Sequence, residues 1–225
     1  MNNQKELEMS NPVYIILDTE TTGLNTNIAG IISFSYIITD LVNEIERGTI
    51  EMNPFESEVD IANAAEAMKV NGYTAEQVLQ FMPAKEGMKQ IAKVFERATV
   101  YGGGSWPKIM GYNVIGYDMP IIVNNCKKYG VYLPKYYPNA VDVMAIVIGL
   151  DTMGLMPTKT YPDGKKMGNK LCENVEKFGI ESDPSKFHAS MYDVEMTLAV
   201  FNAIKNKLTS NEGDANEDIG CEWLQ

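Results

Sequence analysis

The sequence is poor in the residues that build disulfide frameworks and structural zinc sites. Its 225 residues include three cysteines, Cys126, Cys172 and Cys221, in no paired spacing, and a single histidine, His188. Disulfide-rich secreted domains and zinc-binding modules need several such residues at short, regular intervals. Both classes are therefore excluded, and a reducing, intracellular setting is the expectation.

Long apolar stretches are also lacking. Residues 1–11 are polar, and the apolar run at 13–17 is much shorter than the roughly 20 residues that cross a bilayer or the apolar core of a signal peptide. We therefore expect a cytoplasmic protein with no membrane partner, in which residues 1–11 form a flexible leader.

Positive charge is scarce, because 19 Lys and Arg stand against 30 Asp and Glu, for a formal net charge of −11. A protein that coats nucleic acid is normally basic, since its phosphate contacts come from Lys and Arg. The composition argues against such a protein. It is compatible with an enzyme that approaches phosphates through metal ions held in an acidic cleft.

The hydrophobic periodicity predicts an α/β domain over residues 12–208. Strands are expected at 13–18, 31–39, 44–52, 109–113 and 139–141, of which the first three would form an antiparallel meander. Helices are expected at 61–70, 75–81, 85–97, 119–129, 143–150, 169–178 and 192–208. The pattern therefore indicates a mixed five-stranded sheet flanked by helices.

Two segments fall outside this pattern of strands and helices. Residues 209–225, which end in NEDIGCEWLQ, are acidic and are expected to be disordered. The alternatives for this tail are a docking peptide for a replication partner and a mimic of DNA that occludes the cleft. The glycine-rich stretch at 101–106 lacks the Lys-Ser/Thr ending of a phosphate-binding loop, so we expect it to be a connection.

Two acids follow the first predicted strand in the stretch VYIILDTETTGL. Asp18 and Glu20 are two residues apart, so an extended chain places both carboxylates on one side. Burying them would cost free energy, because they repel each other and lose hydration. A shared Mg²⁺ or Mn²⁺ would offset that cost, and a solvent-exposed loop is the alternative. Thr21, Thr22 and the turn at Gly23 could hold phosphate oxygens or orient the carboxylates.

Two further polar motifs occur at predicted helix starts. MGYNVIGYDMP contributes Asn113 and Asp118, and HASMYD contributes His188 and Asp193. Each motif has a purely structural alternative. Asp118, which precedes a proline by two residues, could cap its helix, and Ser190 with Asp193 could form a capping box.

Taken together, the three motifs resemble those of the DnaQ-like family of 3′–5′ exonucleases, whose fold is the ribonuclease H-like one. Their order along the chain reproduces that of the family over about residues 13–205. The sequence departs from the family pattern at Tyr112, where the family often has His, and at Ser190, where it often has Ala. Asn71 also stands where a related segment often has His. These departures bear on substrate preference, and none removes a metal ligand or the general base.

The resemblance implies metal-dependent phosphodiester hydrolysis. Asp18, Glu20, Asp118 and Asp193 would hold two divalent ions, Mg²⁺ or Mn²⁺, near the 3′-terminal phosphodiester. His188 would remove a proton from the attacking water, since histidine exchanges protons readily near neutral pH.

The resemblance also implies which residues would contact the substrate. Thr21, Thr22 and Leu24 would lie beside the terminal nucleotide, with Leu24 packed against its base. Asn113 would contact the backbone of the substrate. The loop that carries Lys159, Lys165, Lys166 and Lys170, with Tyr161 among them, is the best candidate for gripping a single strand. A solubilising loop is the alternative.

The expected function is the release of nucleoside monophosphates from 3′ ends, with single-stranded DNA favoured, by a proofreading-type or stand-alone enzyme. An exoribonuclease that trims RNA is the alternative with the same chemistry, because contacts to a 2′-hydroxyl depend on geometry. A non-catalytic module that binds nucleic acid or a protein partner is the alternative from another class, and the intact set of acids argues against it. A proofreading role would require a separate polymerase or replication partner.

Overall fold

A six-stranded mixed sheet forms the centre of the molecule in the computed structural model, which describes residues 12–210. Its strands are β1 Tyr14–Thr21, β2 Ile31–Thr39, β3 Glu44–Asn53, β4 Met82–Pro83, β5 Lys108–Gly111 and β6 Val141–Asp142. The spatial order is β4-β3-β2-β1-β5-β6. Strands β1, β2 and β3 form the predicted antiparallel meander, and β5 and β6 extend the sheet in parallel beside β1.

Seven α-helices and one short 3-10 helix, Pro184–Lys186, accompany the sheet in the described part of the chain. The α-helices are α1 Glu58–Asn71, α2 Ala75–Val78, α3 Ala84–Tyr101, α4 Asp118–Tyr129, α5 Val143–Thr152, α6 Leu171–Lys177 and α7 Ser190–Ser210. None of these described helices has the combination of length and apolarity needed to cross a bilayer. The predicted leader and residues 211–225 of the predicted tail lie outside the described residues.

Alternation along β1 assigns its side chains to two hydrophobic cores. Ile15 and Leu17 belong to the core on the face covered by α3 and α4. Ile16 belongs to the core on the opposite face, which α5, α6 and α7 cover. All three side chains are at most 1% exposed. Truncation of such an isoleucine to alanine typically costs about 2–5 kcal/mol of stability.

A third, smaller core fixes helix α1 beside the carboxyl end of β1. Ala64 and Met68 on α1 pack with Ile32 of β2 and Val78 of α2. The helix begins after Ser57, whose side chain accepts a hydrogen bond from the amide of residue 60, and it ends at a left-handed glycine, as many helices do. The side of α1 away from this core is therefore available to line a cleft.

The predicted mixed sheet with an antiparallel meander and flanking helices is confirmed, but the prediction of five strands was one too few. The sixth strand, β4, consists of two residues, Met82 and Pro83, which pair in parallel with Met52 and Asn53 at the end of β3. A strand of two residues is too short to produce a period-2 pattern. The helix predicted at 75–81 is correspondingly shorter, since α2 ends at Val78.

Candidate active site

Three of the four predicted acids converge at the carboxyl end of β1. Asp18 and Glu20 lie on the same face of the strand as Ile16, which is the face that α7 covers. One oxygen from each of Asp18, Glu20 and Asp193 lies within 4.8 Å of the other two. Asp193 belongs to the first turn of α7, so two elements distant in sequence meet here.

Ser190 anchors the start of α7 against the sheet. Its hydroxyl oxygen lies 2.9 Å from that of Ser33 and 2.7 Å from that of Ser35. These two serines are the β2 neighbours of Glu20 and Asp18 in the antiparallel register. The hydroxyl of Ser190 is thus engaged with the sheet rather than with a capping box, and the serine that replaces the usual alanine holds α7 over the acid pair.

Asp118 is the first residue of α4 and is held against β1. Its Oδ1 accepts a hydrogen bond of 3.0 Å from the backbone amide of Thr19 and one of 2.7 Å from the Thr19 hydroxyl. The capping position of α4 is occupied by Tyr117, which makes no side-chain capping bond. The structure therefore does not support the capping interpretation of Asp118, a residue that is only 2% exposed.

His188 lies just before α7 with a left-handed backbone, φ 68°. Its backbone amide donates to Oδ2 of Asp193 at 3.2 Å, and its side chain is exposed at the rim of the cleft. The other carboxylate oxygen of Asp193, Oδ1, is buried and has no hydrogen-bond partner among the described residues. A buried carboxylate oxygen without a donor is costly unless a cation satisfies it.

Burial raises the pKa of all four carboxyl groups, and repulsion from the other acids of the cluster adds to the rise for Asp18 and Glu20. Desolvation is the largest cause in each case. It raises the pKa of Glu20 to about 8, with the charges of Asp193 and Asp118 adding to the effect. The pKa of Asp118 rises to about 7 even though the bonds from Thr19 oppose the shift, and that of Asp193 rises to about 6. The pKa of Asp18 lies well above its usual range, because of burial and then the charges of Asp118, Glu20 and Asp193.

The donor set fits a divalent cation. Carboxylate oxygens are the ligands that Mg²⁺ and Mn²⁺ take in proteins, and the oxygens of Asp18, Glu20 and Asp193 already converge. A bound cation would satisfy Asp193 Oδ1 and would offset the repulsion that adds to the raised pKa of Asp18 and of Glu20. Asp118 lies beside this group and completes the acidic cluster.

A single cleft of about 720 Å³ contains the cluster. The nine predicted site residues all line it: Asp18, Glu20, Thr21, Thr22, Leu24, Asn113, Asp118, His188 and Asp193. Helix α1 forms another wall with Asn63, Glu66, Ala67, Val70 and Asn71. Asn71 belongs to a segment that resembles one of the family, but no sequence motif predicts the rest of this wall, which reaches the cleft through the packing of α1. The individual roles of the nine residues stay predictions.

The threonines after β1 hold the turn that forms one edge of the cleft. The hydroxyl oxygens of Thr21 and Tyr117 lie 2.5 Å apart, and each lies 3.0 Å from the carbonyl oxygen of Gly23. The side-chain amide of Asn71 donates to the Thr21 carbonyl at 3.1 Å, and the Thr22 hydroxyl accepts from the amide of residue 30 at 2.8 Å. Tyr117 was not predicted, although its position directly before Asp118 was a usable signal.

Asn113 occupies a left-handed turn after β5, with φ 63°, a conformation that asparagine tolerates better than most residues. Its backbone amide donates to Oδ1 of Asp142 at 3.0 Å, and the amide of Ile115 donates to Oδ2 at 3.1 Å. Asp142 also caps helix α5. This second residue missed by the sequence reading had a signal in its position directly before an apolar helix.

The lysine-rich loop is not among the elements that line the cleft. Its cations contact acids elsewhere, with Nζ–O distances of 3.4 Å for Lys159–Glu176 and 3.0 Å for both Lys165–Asp163 and Lys166–Asp151. The hydroxyl of Tyr161 donates to Glu173 at 2.6 Å, which holds the loop against α6. A role of this loop in gripping substrate stays a prediction.

A family model described as an exonuclease, RNase_T, matches residues 15–201. The chain therefore belongs to this exonuclease family. The match confirms the resemblance to DnaQ-like exonucleases and the enzyme class predicted from the three motifs.

Two DNA polymerases of the PolC type are similar to the chain. One, from Ureaplasma parvum, is 23% identical over 219 residues, and the other, from Mycoplasma genitalium, is 22% identical over 228 residues. The alignments cover 95% and 99% of this chain. They cover 13% and 14% of the polymerases, so the chain matches a small part of each.

Solved structures of Escherichia coli exonuclease I share the fold. The complex with a dT13 oligonucleotide has a TM-score of 0.72 at 19% identity, over 90% of this chain and 43% of that one. A complex described as ExoI/SSB-Ct has a TM-score of 0.70 at 18% identity, over 89% of this chain and 42% of that one. The chain thus spans less than half the length of these proteins.

Proposed function

We propose that this domain is a metal-dependent 3′–5′ exonuclease that releases nucleoside monophosphates from single-stranded DNA. The observation that carries the proposal is the convergence of oxygens from Asp18, Glu20 and Asp193 within 4.8 Å. Asp118 and His188 line the same cleft, which has room for a nucleotide at its volume of about 720 Å³. We also propose a cytoplasmic location.

In this proposal the four carboxylates hold two divalent ions, Mg²⁺ or Mn²⁺. Such ions supply the positive charge that activates a water molecule and stabilises the leaving 3′ oxygen. The hydrogen bond from the backbone amide of His188 to Oδ2 of Asp193 keeps the imidazole next to the cluster. Because the side chain is exposed at the rim, His188 can accept the proton of the water and pass it to solvent.

The substrate contacts belong to the turn after β1 and the turn after β5. Thr21 and Thr22 are fixed by their hydroxyl bonds, so they would present a preformed edge to the terminal nucleotide. Leu24 is 88% exposed at the cleft, where an apolar side chain can pack against a base. Asn113 would contact the sugar-phosphate backbone of the substrate.

Single-stranded DNA is favoured over RNA by what is known of similar proteins. Exonuclease I of Escherichia coli, which shares the fold, has been solved with dT13 and dA16 oligonucleotides. The PolC-type relatives are DNA polymerases, which supports a replication setting and a polymerase partner for this domain. The structure described as an ExoI/SSB-Ct complex supports SSB-Ct as a second kind of partner.

The test is turnover of 5′-labelled DNA and RNA of equal sequence with Mg²⁺, Mn²⁺ or EDTA. We expect a ladder that shortens from the 3′ end of the DNA, needs a metal ion and disappears in Asp18→Asn. Glu181→Gln, at an exposed acid that does not line the cleft, is the control and should behave as the wild type. Preferential shortening of RNA would favour the exoribonuclease. Binding without any cleavage would favour the non-catalytic module.

A further inference from the structure

Basic residues are concentrated in one stretch of this acidic chain. Residues 97–141 contain five Lys and Arg and a single acid, Asp118, whereas the whole chain has 19 basic and 30 acidic residues. Asp118 is buried, so it contributes little to the surface of this stretch. A polyanion is therefore attracted to the stretch, although the net charge of the protein as a whole repels it.

Two lysines of this stretch face aromatic rings. Nζ of Lys135 lies 5.1 Å from the ring centre of Trp106. Nζ of Lys108 lies 5.6 Å from the ring centre of Tyr14 and 5.9 Å from that of Tyr137. Neither lysine forms a salt bridge with an acid among residues 12–210, which the structure describes. These five residues are called the aromatic–lysine surface below.

The lysines of the aromatic–lysine surface differ from those of the loop at 159–170. Lys159, Lys165 and Lys166 each pair with a carboxylate, which offsets their charge. An ammonium group held against an uncharged ring keeps its full charge for a phosphate. The rings are accessible as well, since Trp106 is 45% exposed and Tyr137 is 49% exposed. Exposed rings interleaved with cations are typical of surfaces that bind single-stranded nucleic acid.

The core beneath the aromatic–lysine surface holds it in place. The backbone amide of Tyr137 donates to the carbonyl of Pro107 at 2.9 Å, which joins the two segments that carry Trp106 and Lys135. The neighbouring Tyr136 packs edge-on against the buried ring of Phe95, with 5.8 Å between the ring centres. Side chains on a fixed backbone lose less conformational entropy when a ligand binds, so the surface is suited to binding.

The aromatic–lysine surface lies at the end of the sheet opposite the carboxylates. Tyr14 and Lys108 begin the parallel strands β1 and β5 and pair with each other, and Glu20 lies near the other end of β1. At about 3.3 Å per residue, Tyr14 and Glu20 are roughly 20 Å apart. No residue of the surface lines the catalytic cleft. With a rise of about 3.4 Å per stacked nucleotide, a strand needs more than roughly six nucleotides to reach both sites.

We propose that the aromatic–lysine surface binds the upstream part of the single-stranded DNA whose 3′ end occupies the cleft. This inference rests on the proposed function and adds to it a second contact with the same strand. Bases stack on Trp106 and Tyr137, and Lys108 and Lys135 contact phosphates. Lysine is depleted in interfaces between proteins, so a single strand fits these cations better than a protein partner does.

The test compares KM, from initial rates, for single-stranded DNA of about 4 and about 25 nucleotides, lengths below and above the one that reaches both sites. The wild type should have the lower KM for the long strand. Trp106→Ala should raise that KM about tenfold, the order of effect of losing one stacked base. The KM for the short strand and kcat should stay unchanged, because Trp106 lies outside the cleft.

Salt dependence separates the lysines from the ring. Lys108→Gln and Lys135→Gln should each make the plot of log affinity against log salt for the long strand shallower by about one, the effect of one lost phosphate contact. Trp106→Ala should leave this slope unchanged. The double variant Lys93→Gln with Lys205→Gln is the matched control for the two lysines together. Both are exposed lysines, on α3 and α7, that form no salt bridge in the described part of the chain.

Equal KM values for the two lengths in the wild type would overturn the assignment, as would an equal loss in the control variant. If no strand is cleaved, the proposed function fails, and equilibrium binding of the same strands in EDTA tests the surface separately. A preference for the long strand that Trp106→Ala and the Lys108 and Lys135 variants weaken, and that the control keeps, supports the surface. Affinities that these substitutions leave unchanged overturn it, and an acidic protein partner is then the ligand class that such cations fit.

Discussion

Thr19 holds Asp118 by two hydrogen bonds to one carboxylate oxygen, 2.7 Å from its hydroxyl and 3.0 Å from its backbone amide. Thr19 stands between Asp18 and Glu20 on β1 but faces the opposite side of the strand. The bonds therefore fix the start of α4 relative to the acid pair. They also oppose the rise in the pKa of Asp118 that burial causes.

Thr19→Val should destabilise the protein by about 1–3 kcal/mol, because a buried carboxylate loses a donor. The substitution should also weaken binding of Mn²⁺, since partners that orient a metal ligand typically contribute about 10–100-fold to affinity or activity. Thermal unfolding and metal titration measure the two effects. Thr152→Val, at an exposed position of α5, serves as the control. Unchanged metal affinity in Thr19→Val would contradict a positioning role for Thr19.

The stability of the metal-free protein should fall as pH rises from about 4 to 8. Unfolded Asp and Glu titrate near pH 4, whereas burial raises the pKa of Asp193 to about 6, of Asp118 to about 7 and of Glu20 to about 8 in the folded protein. Over this window the folded state binds more protons than the unfolded state, so the free energy of unfolding decreases with pH. Melting temperatures in EDTA measure this, and Mg²⁺ should stabilise the protein more at pH 8 than at pH 5.

Glu20→Gln isolates one contribution to this pH dependence. Without metal at pH 8, the variant should be more stable than the wild type by on the order of 1 kcal/mol or more, because one buried charge is removed. The difference should vanish near pH 4, where Glu20 is protonated in both states. Glu76→Gln, an exposed position on α2, should show neither effect. A variant less stable than the wild type at pH 8 would show that burial and the neighbouring charges do not destabilise ionised Glu20.

Tyr117→Phe should raise KM for single-stranded DNA more than it lowers kcat. The hydroxyl that is removed lies 2.5 Å from that of Thr21 and 3.0 Å from the carbonyl of Gly23, and it is hydrogen-bonded to these groups rather than to the four acids. The turn that carries Leu24 should therefore lose order while the carboxylates stay in place. Steady-state kinetics separate the two constants, with Tyr132→Phe, an exposed hydroxyl, as the control. A fall in kcat alone would contradict the account.

His188→Gln should lower kcat by about 10²–10⁴-fold, the usual contribution of a general base, with little change in KM. Metal affinity should be retained, because His188 contacts the cluster through its backbone amide, which glutamine also has. Single-turnover rates and Mn²⁺ titration of the same preparation measure both. A loss of metal affinity that matches the loss of rate would show that His188 takes part in binding the metal ion.

The strands, helices and acidic residues that could be predicted from the sequence are those that depend on a local sequence pattern. The alternation in β1 and β2 defines their two faces, and the acids of each motif sit directly beside an element that the pattern predicts. The strand of two residues at Met82 was missed because its pairing with Met52 is set by tertiary contact. The wall formed by α1 depends on Ala64 and Met68 packing against Ile32, which no local signal shows.

The same distinction applies to the candidate site. Asp118 and Ser190 both had local capping interpretations that were reasonable on sequence alone. The contacts that replace those interpretations, from Thr19 to Asp118 and from Ser190 to Ser33, join residues 99 and 157 positions apart. Tyr117 and Asp142 shape the site in the same way, by holding turns that the motifs leave undefined.

We propose that the clustered carboxylates hold divalent ions and that the domain hydrolyses DNA from its 3′ end. The most direct measurement is a time course of 5′-labelled single-stranded DNA with wild type and Glu20→Gln, in Mg²⁺ and in EDTA. We expect a ladder of single-nucleotide steps from the 3′ end for the wild type in Mg²⁺, and an intact strand in the other three reactions. Degradation that persists in EDTA or in Glu20→Gln would contradict it.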